Sequence, residues 1–453
     1  MKKLAAFLLA LALSASLFAL PAGAVGFTPT YTPQAEAVYI VNTDTNIIMY
    51  EKNSETPLSA ASLVKVMTAA MLLDMAGDKL DEVTVTPNAT IRDYVYVYGG
   101  SNADIRVGEY HTLRSMLYAM MLPSANEAAL AVANYLGNGS LSNFVYMMNA
   151  KAKEIGCTGT VFTDACGLDE GNVTTARDMY LIFRYAMQYD VLKEVMHTDK
   201  YNLGENPRYP NNSYNIFTTV NMIRKGVGAE YYRSYAQGGK TGNLGSDWQN
   251  FVGWHTQNGE TYISVVLHSP WDSDPYEYTS GGKVKKHPAI YETGMLMDWV
   301  FESFSIQAAL DPDQPIEEIG VKYSADQDTL LVYPADELMT LLPTGGDGTV
   351  TQKAFELPES VAAPIAKGDV VGTVTVSLSG QVLGQVDLLA GSDVERSQLM
   401  FVAAKVGEFF SSRYFKVVLV LSVMAVVLYV AAFVAISLRN KRTNRDKIRR
   451  RHY

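Results

Sequence analysis

Val417 to Leu438 is a run of 22 residues without a single charge. A helix rises about 1.5 Å per residue, so such a run can cross the roughly 30 Å of a bilayer's hydrocarbon. It is too apolar for a helix that faces water. The 15 residues after it, Arg439 to Tyr453, hold eight Lys or Arg and one Asp, a flank that marks the cytoplasmic side. At the other end, Lys2 and Lys3 precede the apolar stretch Leu4 to Leu20. Pro21 and the small residues Ala22-Gly23-Ala24 follow, the pattern of a cleaved secretory signal. The two ends therefore predict an exported domain held to the membrane by its C-terminus.

Charge sharpens once the ends are set aside. The chain carries −10 in total; without the tail's net +7 and the two leader lysines, the exported part carries −19. So acidic a domain argues against nucleic acid as a partner. The basic tail reads as a topology signal. Only two cysteines occur, Cys157 and Cys166. Outside the cytosol such a pair can close a small disulfide loop or remain two separate thiols, and the spacing leaves both open.

The 453 residues have room for more than one domain. Ala37 to Tyr50 is two apolar runs around a polar Asn-Thr-Asp-Thr-Asn turn, a β-hairpin signal. Thr112–Leu122 and Ala125–Leu136 read as helices parted by Pro123, and Thr175–Tyr189 as a further helix. Between Gly238 and Ser269 two strand-like runs flank Gln257-Asn258-Gly259, and Ile290–Phe301 closes the unit as an apolar helix. A hairpin early, helices in the middle and strands late predict an antiparallel sheet with segregated helices, an α+β or layered α/β class. Asp311 to Pro315 reads as a linker, with a small β-domain beyond it. The expected layout is a signal peptide over 1–24, a catalytic domain over 25–308 and a β-domain over 316–391. A juxtamembrane segment over 392–416, a transmembrane helix over 417–438 and a cytoplasmic tail over 439–453 complete it.

Three stretches carry residues able to do chemistry. In SAASLVKVMTAAMLLDM, residues 59–75, Ser62 and Lys65 share one face of a helix otherwise apolar nearly all round. Burial disfavours a charged lysine, and a neutral amine can take a proton from a neighbouring serine. In LPSANEAALAVANYL, residues 122–136, Ser124 and Glu127 fit a helix capping box, which leaves Asn126 unexplained. In QGGKTGNLGSD, residues 237–247, Lys240, Thr241 and Gly242 would suit a bound carboxylate at a strand edge. Each motif alone has an ordinary explanation: a snorkelling lysine, a cap, a turn.

The order S-x-x-K, S-x-N, K-T-G, spaced by 62 and 116 residues, resembles the penicillin-recognising serine acyl enzymes. PLSAASLVKVMTAAMLLD, MLPSANEAALAVA, ACGLDEGNVTTARDM and GGKTGN narrow the resemblance to the D-alanyl-D-alanine carboxypeptidases among low-mass penicillin-binding proteins. That resemblance implies a β-lactamase/transpeptidase-like catalytic domain followed by a small all-β domain. It implies peptidoglycan stem peptides as substrate, β-lactams as covalent inhibitors, and neither cofactor nor metal. Carried over, Ser62 is the nucleophile, Lys65 the general base and Ser124 a proton relay. Asn126 would hold the peptide, Lys240 would add positive charge, and Thr241 with Gly242 would receive the terminal carboxylate. The backbone N–H groups of Ser62 and Asn243 would form the oxyanion hole.

This chain departs from the family's usual pattern at Leu244, at Asp247-Trp248 and at Cys166, and in having a true span in place of an amphipathic anchor. Those differences bear on substrate preference and deacylation. Two rival enzymes fit less well. No E-x-x-L-N stretch supplies the deacylating glutamate of a class A β-lactamase. No H-E-x-x-H or similar histidine pair supports a zinc peptidase. A non-enzymatic sensor of peptidoglycan or β-lactam is a third reading, separable by whether D-alanine is released.

Overall fold

The computed structural model describes residues 27–449 apart from 227–229, 246, 272–275, 280–281, 286, 345–350 and 379. The signal expected over 1–24 lies outside the described residues, as does the end of the basic tail.

The first two strands arise where the sequence alternates around a polar turn. Strands β1 (Ala37–Asn42) and β2 (Ile48–Lys52) form the expected hairpin. Its turn is organised by Asn42, whose Oδ1 accepts from Asp44 N at 3.1 Å and Thr45 N at 2.9 Å, a common use of asparagine in turns. Strands β3 (Ala236–Leu244), β4 (Trp248–Gln257) and β5 (Glu260–Pro270) come some 200 residues later. They join the hairpin in one antiparallel sheet of order β2-β1-β5-β4-β3. The sheet is covered on both faces, as the alternation along β1 requires. Tyr39 and Val41 enter one core with Val265 and Leu267, while Val38 and Ile40 enter a second with Phe251 and Val266.

Helices supply both covers. On the first face lies α1 (Val64–Ala76), of which only Asp74 and Met75 escape burial. After α2 (Ala89–Tyr98) come α3 (Leu113–Met121) and α4 (Asn126–Leu136), and both pack against α1. Helices α5 (Leu141–Glu154), α6 (Ala176–Ala186) and α7 (Asp190–His197) complete this layer, with α6 bridging α1 and the sheet. On the other face α8 (Pro288–Ser303) lies across β4 and β5. Two boundaries differ from expectation. The helix read as Thr175–Tyr189 ends at Ala186, with Thr175 as its N-cap, and the chain turns before α7. The one read from Ala125 begins at Asn126, because Ser124 and Ala125 are held outside the helical region.

The chain divides into two compact units. The first takes in the chain up to Ala309 with Met339–Gln352 and Ser377–Leu383; the second holds Leu310–Leu338, Lys353–Val376 and the chain from Gly384 onward. Past the sheet described above, strands β6 (Glu317–Lys322), β7 (Thr329–Pro334), β8 (Gln352–Glu356), β9 (Ser360–Ala362), β10 (Val370–Leu378) and β11 (Gln381–Ala390) build a six-stranded sheet. Its order is β8-β10-β11-β7-β6-β9. Then come α9 (Gln398–Ser411) and α10 (Arg413–Arg449). The segment Arg413–Arg439 of α10 is long and apolar enough to cross a membrane, with a mean hydropathy of 2.9 and no burial within the protein.

Candidate active site

Ser62 stands one turn before α1, in the 3-10 turn Ala61–Leu63. The turn is tight enough to force Ala61 to φ +47°, a conformation that costs a residue with a Cβ about 1–2 kcal/mol. Two elements hold it. Asn250, buried on β4, donates through Nδ2 to Ser59 O at 2.9 Å and Ala60 O at 3.2 Å, and accepts from His268 N at 2.8 Å. From the other side the 163–175 loop presses on it. Gly167 has φ +82°, and a Cβ there would stand 1.9 Å from Ala61 O.

Lys65 is fully buried in the first turn of α1. Its Nζ lies 3.0 Å from Ser62 Oγ, 2.7 Å from Asn126 Oδ1 and 2.6 Å from Cys166 O. Burial pulls its pKa down from 10.5 to about 8, against the opposing pull of Cys166, Asp164 and Glu127. Amide and peptide oxygens can only accept. A neutral Lys65 therefore spends both N–H bonds on Asn126 and Cys166, leaving its lone pair for the Ser62 hydroxyl. That is the arrangement a general base needs.

A second hydroxyl–amine pair faces the first. Lys240, also fully buried on β3, donates to Ser124 Oγ at 2.9 Å and Thr241 O at 2.8 Å. Burial and then the charge of Lys65 push its pKa well below the ordinary value. Two buried amines so close cannot both hold a full charge cheaply. Thr241 Oγ1 lies 2.7 Å from Thr219 Oγ1. Gly242 is the cross-strand partner of Asn250, and Asn243 of Gln249, so β3 runs alongside the strand that pins the nucleophile's turn.

The structure brings together Ser62, Lys65, Ser124, Asn126, Lys240 and Thr241. It decides two points that the sequence leaves open. Ser124 caps no helix: it has φ +66° and its hydroxyl turns to Lys240. Glu127 completes no box either, its Oε1 accepting from Ala103 N and Ile105 N. The disulfide is absent. Cys157 and Cys166 are free and buried, the first against Asp178 O and the second against Asp164 Oδ2, each at 3.7 Å.

Four supports lie outside the three motifs. Asn250 is one, and a buried asparagine inside an apolar strand was the available signal. Thr219 is another. Asp164 and Asn172 are the others, and they knot the loop. Asp164 Oδ1 accepts from the Cys166 and Gly167 amides and from Asn172 Nδ2. Its Oδ2 accepts from the Leu168 and Asp169 amides and the Tyr94 hydroxyl. Lys65 hydrogen-bonds the Cys166 carbonyl, while the thiol of that residue turns to Asp164.

Residues 27–270, more than half the chain, match the family described as D-alanyl-D-alanine carboxypeptidase. The chain belongs to that family. Residues 304–396 match the description penicillin-binding protein 5, C-terminal domain. Among relatives of this carboxypeptidase-family chain, D-alanyl-D-alanine carboxypeptidase DacF of Bacillus subtilis (strain 168) is 26% identical over 365 residues. That match covers 80% of this chain and 87% of the relative. DacC of Escherichia coli (strain K12), of the same description, is 28% identical, covering 81% and 86%. In fold, the family member resembles penicillin-binding protein 5 from Haemophilus influenzae with a TM-score of 0.55. There the identity is 22%, and the match covers 82% of this chain and all of the other. The Streptomyces K15 DD-transpeptidase matches with a TM-score of 0.51 at 28% identity, covering 61% and 99%.

Proposed function

We propose that this protein is a serine-type D-Ala-D-Ala carboxypeptidase that removes the terminal D-alanine from peptidoglycan stem peptides and is acylated by β-lactams. The observation that carries the reading is the pair of buried amines, each within hydrogen-bond distance of a serine hydroxyl.

The chemistry follows from which proton each amine can take. Ser62 Oγ attacks the carbonyl carbon of the penultimate D-alanine while its proton passes to Lys65. The oxyanion of the tetrahedral intermediate is received by the backbone N–H groups of Ser62 and Asn243, the latter on the strand held beside the nucleophile's turn. Each such donor contributes about 3 kcal/mol in comparable sites. Collapse breaks the peptide bond, and the departing amine takes a proton through Ser124. An ester on Ser62 remains. The proton given to the amine is the one Lys65 took from Ser62, so Lys65 is neutral again. It takes a proton from the water that attacks the ester carbonyl and returns it to Ser62 Oγ as the C–O bond breaks and the shortened peptide leaves as a carboxylate. Asn126, already hydrogen-bonded to Lys65, holds the peptide. The substrate's terminal carboxylate meets Thr241 and the Lys240 side of the site. Its negative charge raises the Lys240 pKa, so substrate restores the cation that burial suppresses.

In the cell, the apolar segment of α10 anchors the protein, and the basic residues from Arg439 onward keep that end in the cytoplasm. The catalytic unit then faces the wall.

Purified protein incubated with a pentapeptide is expected to release D-alanine, and penicillin to form an adduct on Ser62 that is absent in Ser62→Ala. An adduct that persists in Ser62→Ala would refute the assignment. Labelling without D-alanine release would favour a sensor.

A further inference from the structure

Helix α2 and the loop after it carry a feature that acyl transfer leaves unused. Between Pro87, Val95, Tyr96, Ile105, Val107 and Glu127 lies a cavity of about 690 Å³, within the size range of small-molecule pockets. Its walls are mostly apolar. Arg92, Asn102, Asp104, Arg106 and Glu127 supply its polar lining, and Glu127 is only 4% exposed. Its Oε1 accepts from Ala103 N at 2.7 Å and Ile105 N at 3.3 Å. Its Oε2 is buried with no hydrogen-bond partner among the described residues. Burial raises the carboxyl's pKa, as expected where the charge is incompletely compensated. Arg92 and Arg106 also line the cavity, but each is engaged by a neighbouring acid: Asp93 at 2.6 Å and Asp104 at 3.3 Å. The inner carboxylate is left needing a donor.

Position ties the cavity to the reacting centre. Gly100 lines it and also closes on Asn126, where a Cβ would stand 2.1 Å from Asn126 Nδ2. Asn126 N donates to Ser101 O at 2.9 Å. Consecutive residues at the start of α4 thus serve two spaces, Asn126 reaching Lys65 and Glu127 lining the cavity.

We propose that this cavity is a subsite for a stem-peptide side chain that ends in a primary ammonium, its aliphatic part along Val95, Ile105 and Val107 and its ammonium donating to Glu127 Oε2. The proposal rests on the carboxypeptidase reading and extends it from the scissile bond to a residue upstream. A purely apolar chain would leave Oε2 unpaired, and a lone carboxylate would be repelled by it. Lysine and diaminopimelate both supply the amine; the second adds a carboxylate that Arg92 and Arg106 would meet.

The test uses the full chain in detergent and peptides ending in D-Ala-D-Ala. One has a free side-chain amine on the preceding lysine, one has that amine acetylated, and one carries diaminopimelate. For D-alanine release, kcat/KM is expected to favour the free amine by about tenfold or more, as one buried charge-assisted hydrogen bond would give. Glu127→Gln keeps an oxygen for the Ala103 and Ile105 amides but removes the charge, and should bring the ratio within about twofold. Val107→Trp fills the cavity while leaving Glu127 in place. It should have the same effect, and it stands in if Glu127→Gln fails to fold. The ratio is the readout, since general damage lowers both peptides alike. A gain with both amines supports the subsite, and a larger gain with diaminopimelate supports it with the arginines included. Equal rates for free and acetylated peptides, or a preference surviving both variants, overturns it. Absence of D-alanine from every peptide overturns the carboxypeptidase reading itself, and the subsite with it.

Discussion

Lys65 is tuned by what surrounds it, and the tuning sets a pH dependence. The neutral amine is the working form, and burial brings its pKa to about 8. Below that value the neutral fraction falls about tenfold per pH unit. The rate of penicillin adduct formation on Ser62 is therefore expected to climb with unit slope from pH 6 to 8 and level off above. A profile flat across that range would show that Lys65 is not the base. Lys65→Arg keeps a cation that cannot deprotonate, and should slow acylation by roughly 10²–10⁴-fold, the usual worth of a positioned base. Asn250 acts at one remove. Asn250→Ala strips two bonds from the Ser59 and Ala60 carbonyls and one from His268 N. It should cost about 2–4 kcal/mol in denaturant unfolding, the sum of a few buried hydrogen bonds.

The 163–175 loop is the element on which both the nucleophile and the base lean. Gly167→Ala and Gly99→Ala impose similar strain at positive φ, but only the first puts a Cβ against Ala61 O. Acylation should fall by about 100-fold or more in Gly167→Ala, as for a small misplacement of reacting groups, and stay near the wild-type rate in Gly99→Ala. Stopped-flow labelling would separate the two. Asp164 gives the same loop an acid limit. Burial acts to raise its pKa, but the amides and the Tyr94 hydroxyl outweigh burial and hold it below 3.8. Its stabilisation is therefore present above the unfolded pKa and is lost as pH falls through the folded one. Asp164→Asn should lose that acid-dependent share, measurable by thermal unfolding between pH 5 and pH 3.

Much of the catalytic layer was legible because its signals are local. The polar turn between two apolar runs gave the β1–β2 hairpin, Pro123 parted α3 from α4, and the three motifs named the residues that meet. What stayed hidden depends on partners distant in sequence. Local sequence alone makes Ser124 a cap, because the 116 residues to Lys240 say nothing of where that lysine lies, and only the motif resemblance makes it a proton relay. Asn250 and Asp164 looked ordinary because their worth lies in which backbone groups fold back onto them. Spacing leaves the disulfide open, whereas the structure holds the two sulfurs in separate contacts.

At the scale of the whole molecule, the chain ends in two helices of different character. Along α9, Leu399, Val402, Val406, Phe409 and Phe410 are all exposed, spaced so that most share one stripe. Such a stripe suits the boundary between lipid and water, and α10 follows after Ser412. A chain ending at Arg396 is expected to stay in solution in a vesicle flotation assay. One ending at Ser411 should float in part and the full chain entirely; equal behaviour of the two shorter forms would remove α9 from the interface. Anchoring through the apolar segment of α10, as proposed above, would have a further consequence. An enzyme fixed by one helix is counted per unit of surface, not per unit of volume. As a cell enlarges its envelope, trimming capacity then keeps pace with the area being built only if new copies are inserted in proportion. Dilution by the surrounding medium never enters.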